Sequence, residues 1–406
     1  MPVVLRTLTE ELRSGTFGAG GRISYKLRTR DEHFQDGGPK RILCLDGGGL
    51  RGILSLQFLK RIEEILRERH GGDAGFRLAH YFDLCAGTST GAIIAAALAK
   101  GLTVTEIERD YLNMGQTIFK GGRFLGGIVG ARYDKDALST LLRDVLGDNT
   151  TLGSTDLLTG VLLVTKRVDT GSPWPLGNNP NGHYFRAKPT DKWLSNADYP
   201  LWQVVRASTA APTYFDPEML TIGAGDKAFH GEFVDGGVSP FNNPALQAFM
   251  YATLSGYRVG WKTGAERMLI VSIGTGTGDP SITHSNFAAA AGIKALGGLM
   301  DDCASLVETM MQWMSSSSTR RVIDRELGDL SADTLCGAPL FTYQRYNALL
   351  TTEGLSKVLP DVTDEVMESL AKMDKPENMK ILQKVGLDAA RHIEPTHFPH
   401  SFDLGG

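Results

Sequence analysis

The chain has 406 residues, 42% of them hydrophobic, with a formal net charge of −4. That length can bury a substantial core, as one large α/β unit or two smaller ones, and the acidic balance argues against a nucleic-acid polymer as partner, which calls for a basic excess. The four cysteines, Cys44, Cys85, Cys303 and Cys336, form no CxxC pair, which points away from a zinc site and from a disulfide framework.

In chain order, residues 1–39 read as an irregular arm, with GTFGAGGR and QDGGPK lacking periodicity. RILCLD (41–46) is a buried strand that breaks at Gly47-Gly48-Gly49. A helix follows, in which Leu50, Ile53, Leu54, Phe58, Ile62, Ile65 and Leu66 recur at helical spacing. YFDLCAG (81–87) is a second strand, and TGAIIAAALAK a second helix closed by Gly101. Helices are expected over 103–113 and 134–146, and a strand over 161–168. SPWPLGNNPNG (172–182) reads as a loop. A helix over 201–209, a strand end at EFVDGG and a strand with a glycine turn in RMLIVSIGTGTG (267–278) complete the alternating part.

Past residue 285 the pattern turns helical. In DDCASLVETMMQWM, Leu306, Met310 and Met314 share a face with Val307 and Met311. One more strand is expected over 339–347, and a last helix over 376–393. Alternating strands and helices predict an α/β class with a mainly parallel sheet covered on both faces. No repeat and no linker divides the chain. Residues 40–350 read as one unit, with helices of 351–406 packed on it.

No apolar run approaches the roughly 20 residues of a bilayer helix. MPVVLRTLTEELRSG carries acids where a signal peptide has its apolar region. The expectation is a cytoplasmic chain, with peripheral attachment to a membrane left open.

Gly87-Thr88-Ser89-Thr90-Gly91 stands between a strand and an apolar helix. A G-x-S-x-G turn of this kind lifts a serine oxygen clear of the sheet, and its neighbours must be small because the backbone folds tightly. The helix then aims its positive end at the hydroxyl. The plainer reading is a helix N-terminus capped by Thr88 or Ser89. In LDGGGLRG (45–52), three consecutive glycines expose amides with no side chain in the way, a natural anion cradle and, in a serine hydrolase, an oxyanion hole. Gly47-x-Gly49-x-x-Gly52 also fits the dinucleotide fingerprint. The acid that fingerprint needs about 20 residues on is missing from the end of the second strand. Arg51 has two readings, a contact to a substrate phosphate or a bond to a loop carbonyl.

None of the nine histidines offers an obvious base for Ser89. The order Ser89, Asp235, late histidine would suit a triad. FVDGGVSPFNNPA equally presents Asp235 at a strand end where no histidine is needed. An aspartate is a weak base at its reference pKa of about 3.9, and burial can raise it.

LDGGGLRG, AGTSTG and VDGG, in that order, resemble the patatin-like phospholipase family, lipid acyl hydrolases with a Ser–Asp dyad. RYDKDALSTLLRDVLGD, RASTAAPTYFDP, SIGTG and YQRYN look like its bacterial branch, so the likeness spans roughly residues 40–390. The resemblance implies a three-layer α/β/α sandwich. It makes Ser89 the nucleophile and Asp235 the general base, with Gly47, Gly48 and Gly49 as the oxyanion hole, Arg51 following, and Gly87 and Gly91 shaping the elbow. It implies ester hydrolysis on phospholipids or lysophospholipids at a membrane surface, with no cofactor or metal. Some bacterial relatives are switched on by a cyclic nucleotide, so a small-molecule activator stands as the alternative, and a non-catalytic nucleotide-binding module built on GGGLRG as a third reading. KGGRFLGGIVGARY (120–133) could be a lid or a packed loop. Trp174 could meet an interface or pack down, and Met310, Met311, Trp313 and Met314 could line an acyl groove or sit in the core.

Overall fold

The computed structural model describes residues 25–119, 133–188, 190–225, 228–278 and 288–405, and of 288–296 the backbone alone. The segment 120–132 and the sequence GTFGAGGR lie outside the described residues.

The first element is a short helix, α1 (Arg30–Gln35), inside the stretch expected to be irregular. Its signal is a capping box. Thr29 Oγ1 accepts the Glu32 amide, and Glu32 Oε2 accepts the Thr29 amide at 2.7 Å. Strand β1 (Lys40–Leu45) and helix α2 (Gly52–Arg69) follow, then β2 (Leu84–Thr88) and α3 (Thr90–Ala99). The expected strand over 81–87 thus begins later, because Leu78–Tyr81 form a single helical turn. Asp83 then turns into a buried cluster with Arg28, His33 and Arg41. Next come α4 (Val104–Ile118), α5 (Lys135–Leu146), β3 (Gly160–Arg167), β4 (Ser172–Gly177), α6 (Leu201–Ser208), β5 (Glu218–Thr221) and β6 (His230–Asp235). The C-terminal half adds α7 (Ala245–Thr253), β7 (Met268–Ile273), α8 (Ala288–Trp313), β8 (Ser315–Ser316), β9 (Phe341–Tyr346), α9 (Asp364–Ala371) and α10 (Met379–Ala390).

The sheet runs β5-β6-β3-β2-β1-β7-β9-β8, with β4 also on β3. Every pair from β3 to β8 along that path is parallel, and β4, β5 and β6 are antiparallel additions. The 172–182 segment, expected to be a loop, therefore supplies a strand. Pro173 and Pro175 pair with Lys166 and Val164, and an edge strand tolerates prolines because it needs fewer ladder donors.

Alternate strand residues feed two cores, which makes the molecule a three-layer α/β/α sandwich. Leu43, Leu45, Leu163 and Val271 pack with α2 to α6 on one face. Ile42, Cys44, Leu162 and Ile270 pack with α7 and α8 on the other. Met311 and Met314 belong to the second core and Met310 packs against it, whereas Leu306 is 62% exposed instead of sharing that buried face. Trp174 lies on β4 edge-on to Phe233, 5.8 Å between ring centroids. Helix α10 packs on α2, with Gly386 pressed against the Leu54 carbonyl and the Gln57 side chain.

Candidate active site

The carboxyl ends of parallel strands leave a crevice where loops meet, and the motifs gather there. Strand β2 delivers Ser89 and β6 delivers Asp235. Their register on β3 brings them together: Val164 pairs with Thr88, and the next residue, Thr165, pairs with Asp235.

Ser89 has φ +54° and ψ −124°, a conformation costing a non-glycine residue about 1–3 kcal/mol. Its amide donates to Ser208 Oγ at 2.9 Å, and Ser208 donates onward to the Val164 carbonyl at 2.6 Å. The elbow glycines allow the turn. A Cβ at Gly87 would strike the Gly91 carbonyl, and one at Gly91 would strike the Leu45 carbonyl.

Asp235 is 4% exposed. It accepts the Gly237 amide at 2.7 Å and lines the same cavity as Ser89. Burial pushes its pKa up to about 6, opposed by the nearby Ser89 hydroxyl, the Gly237 amide and the Arg206 charge. No described histidine lines the cavity at this point. His33, expected in a loop, is on α1, bonded to Asp83 at 2.9 Å within the buried cluster described above.

The glycine loop divides its amides. Gly47 donates to the Asn242 carbonyl at 3.1 Å, which removes it from the expected oxyanion donors. The Gly48 and Gly49 amides have no partner among the described residues, and both glycines line the cavity. Gly49 has φ +56° and lies so close to the Met373 carbonyl that a Cβ would collide with it. The Tyr111 hydroxyl donates to the Gly49 carbonyl and meets Thr90 Oγ1 at 2.6 Å, tying the loop to the elbow. Asp46, just before the loop, takes both ends of the Arg345 guanidinium at 3.0 and 2.6 Å. Arg51 donates Nη1 to the Gly276 carbonyl at 3.3 Å, its buried Nε has no partner among the described residues, and burial lowers its pKa. It bonds the loop carbonyl and is not on the cavity wall.

Above the Ser89–Asp235 pair lies a cavity of about 260 Å³. Its walls are apolar, from Ile93, Tyr111, Met114, Phe119, Leu138, Tyr214, Phe215, Met300 and Met373. The arrangement offers a strained hydroxyl, a buried carboxylate, two free amides and an apolar slot, which together suit acyl transfer.

Residues 43–249 match the family model for patatin-like phospholipases. The chain belongs to the patatin-like phospholipase family. It is 32% identical over 216 residues to a cGAMP-activated phospholipase of Vibrio cholerae, covering 51% of this chain and 56% of that one. It is 30% identical over 255 residues to Patatin-17 of Solanum cardiophyllum, covering 58% and 60%. With the 85/88 kDa calcium-independent phospholipase A2 of Rattus norvegicus it shares 28% identity over 290 residues, covering 65% of this chain and 32% of that one. The chain thus spans between about a third and 60% of the length of these relatives. VipD from Legionella pneumophila superposes with 12% identity and a TM-score of 0.32, over 93% of this chain and 72% of that structure.

Several residues of this patatin-like site carry no motif signal of their own. Ser208 and Thr275 sit inside RASTAAPTYFDP and SIGTG, where family likeness alone marked them. Tyr111, Met114, Met300 and Met373 reach the cavity from elements far apart in sequence, which spacing cannot reveal. Among the described residues no three His, Cys, Asp or Glu side chains converge as a metal site requires. No described helix is long and apolar enough to cross a membrane.

Proposed function

We propose that the chain is a lipid acyl hydrolase that cleaves carboxylic esters of phospholipids or lysophospholipids at a membrane surface. The observation that carries this reading is the strained Ser89 and the buried Asp235 carboxylate meeting on one apolar cavity, beside two glycine amides unpaired among the described residues. The acyl chain occupies the cavity. Asp235 accepts the Ser89 proton as Oγ attacks the ester carbonyl, and the Gly48 and Gly49 amides hold the oxyanion. Asp235 then returns the proton to the departing lipid alcohol. Water, deprotonated by Asp235, releases the fatty acid from Ser89 in the second half. An aspartate near 6 is ionised at neutral pH yet basic enough to take part of the proton. In this reading Arg51 braces the loop and does not contact phosphate.

A second reading adds a switch to the same site. The Vibrio cholerae relative is named for activation by cGAMP, which supports a small-molecule activator of the cyclic-nucleotide type. The test is fatty-acid release from mixed phospholipid vesicles with chelator present, with and without cGAMP, comparing the native chain with Ser89→Ala. Release by the native chain alone supports the unswitched hydrolase, and release only with cGAMP supports the effector. Release that survives Ser89→Ala overturns both.

A further inference from the structure

The Gly48 amide can stabilise an oxyanion only if its peptide plane is fixed before the charge develops, because reorienting a dipole during reaction costs part of what it returns. The other end of that plane is the Gly47 carbonyl. Thr275 Oγ1 donates to it at 2.9 Å from a buried position. The Asn242 side-chain Nδ2 reaches the same oxygen only at 3.5 Å.

Thr275 is itself held rigidly. It sits in the turn after β7, where Ser55 Oγ donates to the Gly274 carbonyl at 2.7 Å and the Gly276 amide donates to Asn347 Oδ1 at 2.8 Å. The Thr275 side chain also fills the space a Cβ on Gly48 would need. Contact and hydrogen bond therefore act on one peptide. A donor on a carbonyl oxygen also polarises the N–H at the other end of the same amide, since chained hydrogen bonds strengthen one another.

We propose that Thr275 is a positioning residue of the oxyanion hole, its hydroxyl aligning and polarising the Gly47–Gly48 peptide so that the Gly48 amide meets the tetrahedral intermediate. The inference rests on the proposed acyl-transfer reading. The neighbouring donor has a different brace. The Gly48 carbonyl, paired in its plane with the Gly49 amide, accepts the Arg51 amide at 3.2 Å, and no side-chain change removes that bond. Thr275 is therefore the point at which one donor can be loosened alone.

The test uses the full chain with Thr275→Val, which keeps the bulk and loses the hydroxyl, Thr275→Ala, and Thr275→Ser, which keeps the hydroxyl. Thermal melting confirms folding, and Ser89→Ala serves as the control for the acyl-transfer reading. The readouts are kcat and KM on a soluble ester, and inhibition by a trifluoromethyl ketone, which becomes a tetrahedral oxyanion on the serine. Losing a whole oxyanion donor typically lowers rate about 10²–10³-fold, so misaligning one is expected to lower kcat about 10- to 100-fold. KM should stay unchanged, ketone affinity should fall in parallel with kcat, and Thr275→Ser should restore both. A folded Val variant with kcat near wild type, a loss confined to KM, or a Ser variant as impaired as Val overturns the proposal. If Val does not fold, the Ala and Ser pair is read by the same criteria. Activity that persists in Ser89→Ala instead overturns the acyl-transfer reading, whatever Thr275 does.

Discussion

The Ser208 hydroxyl accepts the Ser89 amide at 2.9 Å while donating to the Val164 carbonyl at 2.6 Å. A helix residue thus clamps the elbow to the strand behind it. Ser89 stays at positive φ only because its surroundings fix it there, and this bond is one of the fixings. Ser208→Ala leaves a part-buried amide without its partner, a loss of about 1 kcal/mol. The expected outcome is a lowered melting temperature together with a fall in kcat at unchanged KM. A variant with wild-type kcat would show that the glycines alone hold the turn.

Asp235 gives the chain a pH signature. As general base it must be ionised, so kcat/KM rises with pH through about 6, the value to which burial pushes it. Stability runs the other way. A carboxyl lifted from 3.8 to about 6 by folding binds more protons folded than unfolded between those values. Folding stability therefore falls as pH rises through that window and stays lowered above it. Asp235→Asn removes the buried charge, so at pH 8 it is expected to abolish activity and raise stability by about 3 kcal/mol. Denaturant titrations of both proteins at pH 4 and pH 8 check this, the difference narrowing at pH 4.

The sequence carried the catalytic end of the fold and lost its edges, for identifiable reasons. The elbow was legible because the Gly91 carbonyl, four residues on, admits only glycine at Gly87, whereas Gly91 and Gly48 are kept free of side chains by Leu45 and Thr275, far off in sequence. The Ser89–Asp235 pairing was reached through resemblance, since what joins the two residues is the β3 register, formed between residues 70 and 76 positions apart. β4 was missed because Pro173 and Pro175 read as loop punctuation until the edge position is known. Helix α1 was missed although Thr29 and Glu32 spell a capping box, because six residues give periodicity too little to act on. Gly47 differs from its two neighbours only through Asn242, a contact that no local pattern encodes.

Asp46 and Arg345 form the anchor of the glycine loop. The guanidinium holds both carboxylate oxygens and also donates to Ser272 Oγ at 2.8 Å, with every partner buried. Removing one member of such a pair leaves an uncompensated charge, which costs about 3–5 kcal/mol. Arg345→Met should therefore unfold at markedly lower denaturant than wild type. Asp46→Asn with Arg345→Met should recover much of that loss, because the buried charge goes with its partner. Recovery of stability without recovery of kcat is expected, since the loop then lacks its fork. Buried Glu308, 3.7 Å from the same guanidinium, keeps its own ion pair with Arg321, so a double variant no more stable than Arg345→Met would show that Glu308 depends on Arg345 as much as Asp46 does.

Chain-length preference follows from Ile93, one helical turn beyond Ser89 on α3 and on the cavity wall. A tryptophan there fills volume that an acyl chain would otherwise occupy, close to the reacting carbonyl. Each methylene kept out of an apolar slot forgoes about 0.8 kcal/mol, near fourfold in kcat/KM. On p-nitrophenyl esters, wild type is expected to favour longer chains until the cavity is full. Ile93→Trp should reach its plateau several methylenes earlier while keeping activity on the shortest ester. Retained short-ester activity separates a shortened slot from a damaged dyad, because damage at Ser89 or Asp235 lowers every ester by the same factor. If the two profiles are parallel, the acyl chain does not run past Ile93 but along other lining residues such as Met300 and Met373.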